Sequence, residues 1–321
     1  MPGSRQCTVA SVRDVESPTL ADVHAAEGRI RGLLAPTPVV DSAELGALLK
    51  LETLQPTGSF KVRGAVAALT AIGPGESVVT ASAGNHGLAV AWAAARLGID
   101  ATVVVAESAS PAKVEALRRF PAQLVLHGAG YDEAERYALA LAADGRRYVS
   151  AYNDREVIAG QGTIALELLS SLGPELTIVC PAGGGGLAGG VGLVAAPAGA
   201  RVIGVVAAAS PALRVAFEQG RIVDVPVRQT LADGLAGNIE PGSVTVELAR
   251  EYLAGVVEVS EDELAGAMQF LVREHGLVAE GSGAAAVAAL LAGKIECRGA
   301  TVALVTGRNV TTATLLRALG A

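Results

Sequence analysis

One rhythm runs through this sequence and limits what the chain can fold into. A short β-branched run is followed by a Gly/Ser turn and then by an Ala/Leu-rich segment, and the unit recurs along the 321 residues. The β-branched runs at 77–80, 102–105, 124–126, 176–180, 202–206, 256–259 and 300–305 predict strands. The Ala/Leu segments at 87–97, 111–120, 132–143, 160–172, 187–195, 211–219, 261–275, 283–292 and 311–319 predict helices. Two helix starts carry a local signal: Ser110 followed by Pro111 at the first helical position, and the capping box Ser260 with Glu263. Strands that alternate with helices need crossover connections, so the sheet is mostly parallel and the class is α/β.

Composition narrows the partners. Aromatic residues make up 3% of the chain while glycine reaches 39, so small side chains must do much of the packing. A net charge of −7 argues against broad binding to nucleic acid or to an anionic membrane. The three cysteines, Cys7, Cys180 and Cys297, lie far apart with no CxxC spacing. They read as reduced core thiols of a cytoplasmic protein, with neither a disulfide framework nor structural zinc. Residues 1–16 lack the basic-then-apolar order of a signal peptide. Residues 176–200 carry no charge, but Pro181 and the run Gly183 to Gly186 interrupt any continuous membrane helix.

Strand-to-helix turns project backbone donors into the crevice where α/β proteins bind ligands. The first turn of interest is Gln55-Pro56-Thr57-Gly58-Ser59-Phe60-Lys61-Val62-Arg63-Gly64, which delivers a lysine to the mouth of a helical segment. A solvated lysine at a helix start is the plain reading. The chain holds only four lysines, Lys50, Lys61, Lys113 and Lys294, among 25 basic residues. Keeping one here suits a task arginine cannot do, which is to lose its proton and form an imine. The second turn, Thr80-Ala81-Ser82-Ala83-Gly84-Asn85-His86-Gly87, offers Ser82, Asn85 and helix-start amides to a carboxylate or phenolic oxygen. His86 taken alone reads more readily as a satisfied structural histidine than as a ligand.

The third turn, Pro181-Ala182-Gly183-Gly184-Gly185-Gly186-Leu187, allows several amides to converge on one anion at a helix start, which suits a phosphate. Gly184, Gly186 and Gly189 also satisfy GxGxxG. A dinucleotide would want an acidic ribose anchor after the next strand, and none occurs there before Glu218. The fourth turn, Leu304-Val305-Thr306-Gly307-Arg308-Asn309, ends the last strand with a hydroxyl able to meet a ring nitrogen.

Taken in order, these turns resemble the fold-type II pyridoxal-phosphate enzymes, and within them the serine/threonine dehydratase (threonine ammonia-lyase) and serine racemase family. The resemblance runs from about residue 36 to 310 and includes Gly160-Gln161-Gly162-Thr163, Ala232-Asp233-Gly234 and Glu280-Gly281-Ser282-Gly283. It implies a tryptophan synthase β-like fold of two doubly wound parallel-sheet domains with the cofactor in the cleft. Residues 1–75 and 153–321 would form the large pyridoxal 5'-phosphate-binding domain, and 76–152 a small domain that closes over substrate. By the same resemblance Lys61 holds the cofactor aldehyde as an imine and removes the α-proton, with Phe60 packing against the ring. Asn85 meets the phenolic oxygen, Gly183, Gly184, Gly185, Gly186 and Leu187 cradle the phosphate, and Thr306 faces the pyridine nitrogen. Ser82, Ala83, Gly84, Asn85 and His86 form the substrate-carboxylate loop, and a homodimer is implied.

The implied reaction is dehydration of a β-hydroxy L-amino acid such as threonine or serine to a 2-oxo acid and ammonia. Departures from the family pattern refine it. Racemases of the family place a second serine where this chain has Ala83, so dehydration is expected over racemisation. Ala207, Ala208 and Ala209 fall near the racemase metal position and cannot ligate, so no Mg²⁺ site is expected there. Leu88 and Arg308 also depart from the pattern and leave room for a bulkier substrate, such as 3-phenylserine or 3-hydroxyaspartate. No regulatory module is expected after Leu319. Another lyase or β-replacement enzyme on the same fold, such as a diamino-acid ammonia-lyase or a sulfhydrylase-like enzyme, is the nearest alternative. A nicotinamide dehydrogenase and a silent ligand-binding protein lie further off.

Overall fold

The computed structural model describes residues 13–297 and 299–320. In chain order its strands are β1 (Val39–Ser42), β2 (Ala47–Leu51), β3 (Val78–Ala81), β4 (Ala101–Val105), β5 (Gln123–Leu126), β6 (Arg147–Tyr148), β7 (Leu176–Pro181), β8 (Arg201–Ala207), β9 (Gly255–Val259) and β10 (Ala300–Val305). The helices are α1 (Leu20–Ile30), α2 (Lys61–Leu69), α3 (Asn85–Leu97), α4 (Pro111–Leu117), α5 (Tyr131–Ala143), α6 (Arg155–Leu172), α7 (Gly186–Ala195), α8 (Ala212–Gln219), α9 (Thr245–Tyr252), α10 (Glu261–His275), α11 (Gly281–Leu291) and α12 (Thr312–Leu319).

Two sheets organise these elements. A six-stranded sheet has the order β1-β2-β10-β7-β8-β9, and a four-stranded sheet has the order β5-β4-β3-β6. All pairings are parallel except β1 with β2. The architecture is therefore α/β with two parallel-sheet bodies. The small body takes its strands from residues between Val78 and Tyr148, and the large body from both sides of that segment. In the large sheet β10, the last strand, lies between β2 and β7. That order sets the turns after β2, β10 and β7 side by side at the carboxyl edge, where α/β sheets bind ligands.

Small residues allow the helices over the large sheet to approach closely. A Cβ on Gly160 of α6 would lie 2.7 Å from the Arg63 carbonyl of α2, and one on Gly190 of α7 would lie 2.3 Å from the Ile158 carbonyl. Backbone contact of this kind fills the core where aromatic residues are scarce.

The seven expected strands are all present, with ends shifted by a residue or so. Three strands, β1, β2 and β6, and three helices, α1, α2 and α9, appear beyond the expected ranges, α2 being the helical segment anticipated after Lys61 without bounds. Helix α6 starts five residues before the expected 160, because Asp154 caps it by accepting from the amides of Glu156 and Val157. The capping box forms as expected, with Ser260 Oγ accepting from Glu263 N at 3.2 Å. Pro111 occupies the first helical position after Ser110, whose side chain makes no capping bond. Helix α4 ends at Leu117 rather than at 120.

The sequence does not announce strand β2, because Lys50, with Glu52 just past its end, interrupts the apolar pattern, yet both are buried. Arg63 binds Glu52 through Nε at 2.8 Å and Nη2 at 2.7 Å, and binds Glu167 through Nη1 at 2.6 Å. Lys50 pairs with Glu167 and donates to the Thr37 carbonyl at 2.6 Å. Burial alone would raise the Glu52 carboxyl, but Arg63 overrides it and holds Glu52 below the usual carboxylate range. Of the thiols, Cys180 is buried in β7, whereas Cys297 is exposed and is not a core residue. It lies in the turn between α11 and β10, where no element covers it. Cys7 and most of the 1–16 segment lie outside the described residues. Among the described residues no helix is long and apolar enough to cross a membrane.

Candidate active site

The lysine turn leaves β2 through a 3-10 turn at Glu52–Leu54 and reverses at Gly58, whose φ of +75° favours glycine. It is then stitched to the turn after β10. Phe60 N donates to the Thr306 carbonyl at 3.0 Å, Arg308 N donates to the Gly58 carbonyl at 2.9 Å, and Ser59 bridges Gly307. Lys61 opens α2 directly behind this seam. Arg63, two residues on, anchors the same helix start through buried Glu52 and half-buried Glu167, so the position of Lys61 is set from both sides.

The turn after β3 reaches this seam through one side chain. Asn309 Nδ2 donates to Asn85 Oδ1 at 2.6 Å and to the Thr57 carbonyl at 2.8 Å. Asn85 Nδ2 in turn donates to Glu280 Oε1 at 2.5 Å, and Glu280 N donates to the Gly307 carbonyl at 3.0 Å. Lys61, Asn85 and Thr306 are thus brought together as the sequence suggests. Asn309 and Glu280 are the joints that motif reading did not assign. Within the same turn Ser82 Oγ accepts from Gly84 N at 3.1 Å. Ala83 presents only a methyl group, and α3 begins at Asn85 with its first amides free of intrahelical acceptors. Gly87 is required by close approach, since a Cβ there would lie 2.2 Å from the Ser82 carbonyl.

Burial works against charge at this site. Burial pulls the Lys61 ammonium down to about 8, opposed by Glu280, and its Nζ donates to the Ala151 carbonyl at 2.6 Å. The ammonium also stands 5.1 Å from the centre of the Phe60 ring. Burial pushes the Glu280 carboxyl up to about 8, reinforced by Asp233, so it holds a proton at neutral pH. Burial, then the nearby Lys61 charge, pulls His86 down to about 3. A carbonyl only accepts, so the 3.0 Å contact with Val149 O places the hydrogen on Nε2. His86 is therefore a neutral buried histidine, and its Nδ1 has no hydrogen-bond partner.

The glycine turn follows β7, with Gly185 at a φ of +88° before α7 begins at Gly186. Its shape is set by neighbours. A Cβ on Gly184 would lie 2.5 Å from the Tyr152 ring, and one on Gly183 would lie 2.9 Å from the Leu235 Cα. Tyr152 fixes itself by accepting from Glu240 N at 2.9 Å. Nothing in the sequence marks this residue; only its position beneath the turn does. A backbone cradle at a helix start, with Leu187 in the first turn, suits a phosphate. Thr306 lies buried at the end of β10, on the strand between the lysine and glycine turns. The buried Ser59 Oγ beside Lys61 also has no partner. A displaceable lysine, an anion cradle and unpaired polar atoms together fit pyridoxal phosphate.

Comparison with known proteins agrees with this geometry. Residues 30–307 match the family model described as "Pyridoxal-phosphate dependent enzyme". The chain is 39% identical over 305 residues to L-threonine ammonia-lyase of Thermotoga maritima, covering 91% of this chain and 76% of that one. It is 38% identical over 271 residues to the catabolic L-threonine dehydratase TdcB of Escherichia coli, covering 82% of each. Maize serine racemase superposes with a TM-score of 0.88 at 28% identity, covering 95% of this chain and 98% of that one. A match across both sheets and all four turns leaves one assignment: the chain belongs to the pyridoxal-phosphate dependent enzyme family.

Proposed function

We propose that this protein is an ammonia-lyase that dehydrates L-threonine and L-serine to the 2-oxo acid and ammonia. The carrying observation is Lys61, a half-buried amine that desolvation lowers to about 8, held at the junction of three strand-end turns. Its relatives named for threonine ammonia-lyase and dehydratase activity support the substrate class. Pyridoxal phosphate, when bound, supplies an aldehyde that condenses with amines and a ring that takes up negative charge at the α-carbon.

In this reading the amides of Gly183, Gly184, Gly185, Gly186 and Leu187 hold the phosphate against the positive end of α7. Phe60 would pack against the ring. Asn85 keeps one Nδ2 hydrogen for the phenolic oxygen, its other being given to Glu280. Thr306 offers the ring nitrogen a neutral hydroxyl, which holds less charge on the ring than a carboxylate would and so favours prompt loss of the β-hydroxyl. The first amides of α3, with Ser82, Ala83, Gly84 and His86 shaping the turn, hold the substrate carboxylate. Lys61 Nζ takes the α-proton, and the β-hydroxyl leaves as water. The resulting enamine takes up water and yields the 2-oxo acid and ammonia. Ala83 brings only a methyl group to this turn, so the α-carbon would find no second proton donor from that position and dehydration would outrun racemisation. Residues 76–152 act as a domain that closes over the substrate. A homodimer in the cytoplasm completes the reading.

The test is 2-oxo acid release by the purified, pyridoxal-phosphate-loaded protein from L-threonine, L-serine, 3-hydroxyaspartate and 3-phenylserine. Release from threonine and serine supports the proposal. Bound cofactor with no release from any of the four would refute it.

A further inference from the structure

Of the ion pairs among the described residues, Lys113–Asp233 joins the small body to the large one far from where the chain crosses between them. Lys113 Nζ, on α4, lies 2.6 Å from Asp233 Oδ2. The other such pair, Arg147–Asp154, lies at the crossover itself. Asp233 opens a 3-10 turn, Asp233–Leu235, that is wedged into the site. Leu235 packs against Gly183, and Gly234 N donates to Ser282 Oγ at 2.9 Å. The turn therefore touches the glycine cradle on one side and the first turn of α11, just past Glu280, on the other. Glu280 is within electrostatic reach of both Asp233 and Lys113.

We propose that Lys113 and Asp233 form a latch that holds the small body closed over the active site, which makes both side chains positioning residues for the reaction. The Lys113 side chain is 35% exposed and that of Asp233 59%, so the pair lies at the rim. A rim pair of this kind biases an equilibrium by about two- to five-fold. That is enough to favour closure and weak enough to release at each turnover. A lysine suits this task in a chain otherwise rich in arginine, because its single strongly hydrated charge lets go more readily than a bidentate guanidinium.

The latch rests on the ammonia-lyase reading for its kinetics but not for its structure, so the test has two arms on the loaded protein. Variants Lys113→Ala, Asp233→Ala and the charge swap Lys113→Asp/Asp233→Lys are compared with wild type. Hydrogen exchange without substrate should be faster by about two- to five-fold over the 233–235 turn in both single variants, and should return toward wild type in the swap. With L-threonine, KM should rise about two- to five-fold in the single variants while kcat changes less than about twofold, and the swap should recover KM. Wild-type KM should also rise with salt as the screening length falls from about 10 Å at 0.1 M to about 3 Å at 1 M, whereas the single variants should not respond. Unaltered exchange in both single variants, or a swap no better than either, would overturn the latch. Absence of 2-oxo acid from wild type would overturn the function instead, while the exchange arm would still decide the latch.

Discussion

Arg63 is the side chain whose removal tests most sharply how the lysine turn is built. It lies two residues after Lys61 with 1% of its side chain exposed, and its main partner Glu52 has 0% exposed. In Arg63→Met the hydrophobic volume is roughly kept, but Glu52 loses both of its guanidinium bonds. Stripping one partner from a buried ion pair costs ~3–5 kcal/mol, since the remaining charge stays out of water. With a urea slope of about 1–3 kcal/mol per molar, or somewhat more for a chain of this size, the unfolding midpoint should fall by roughly 1 M or more. The pH dependence gives a second sign. In wild type Glu52 is held below its usual range, so its contribution is present above about 4.3, the unfolded value, and is lost as pH falls through the lower folded value. Without Arg63, burial dominates and raises the carboxyl. Its contribution is then present below about 4.3 and is lost as pH rises. The deficit of the variant should therefore be larger at pH 7 than near pH 4.5. Urea unfolding of both proteins at the two pH values is the assay. Equal midpoints, or a deficit independent of pH, would refute the account of this cluster.

Gly184→Ala places a methyl against the Tyr152 ring at 2.5 Å. Overpacking of about 1–3 kcal/mol at the cradle should weaken cofactor retention by roughly 5- to 150-fold, read by equilibrium dialysis of pyridoxal phosphate. Ala83→Ser adds a hydroxyl to the turn just before Asn85, the turn proposed to hold the substrate carboxylate. The yield of D-serine from L-serine should rise relative to pyruvate, and an unchanged ratio by chiral chromatography would count against the role given to that position. In cofactor-free protein Lys61 titrates near 8, so its covalent capture of pyridoxal phosphate should speed up with pH and level off above about pH 9. A rate that climbs tenfold per unit to pH 10 would mean the amine is not desolvated.

The parts of this site visible in the sequence are those where a residue type is itself unusual. A lysine in an arginine-rich chain, four consecutive glycines and a Ser-Ala-Gly-Asn turn each announce a local chemistry, and β-branched runs locate the strands that carry them. What stayed hidden depends on pairing across long stretches of chain. Lys50 and Glu52 make β2 look like surface until Glu167 and Arg63 are seen beside them. Glu280 and Asn309 acquire their place only once β10 inserts between β2 and β7, which brings the turn after the last strand against the first lysine turn. Tyr152 likewise matters through contact with Gly184, and Lys113 through a partner 120 residues away. Periodicity reports what a segment buries but not which distant segment it meets.

The central claim is that Lys61 Nζ is the atom that bonds the cofactor aldehyde. Borohydride reduction of the loaded protein, followed by proteolysis and mass spectrometry, tests it directly. The reduced pyridoxyl group should be found on the peptide carrying Lys61, and Lys61→Ala should abolish both the label and 2-oxo acid release. Label on Lys50, Lys113 or Lys294 instead, or full turnover by Lys61→Ala, would contradict it.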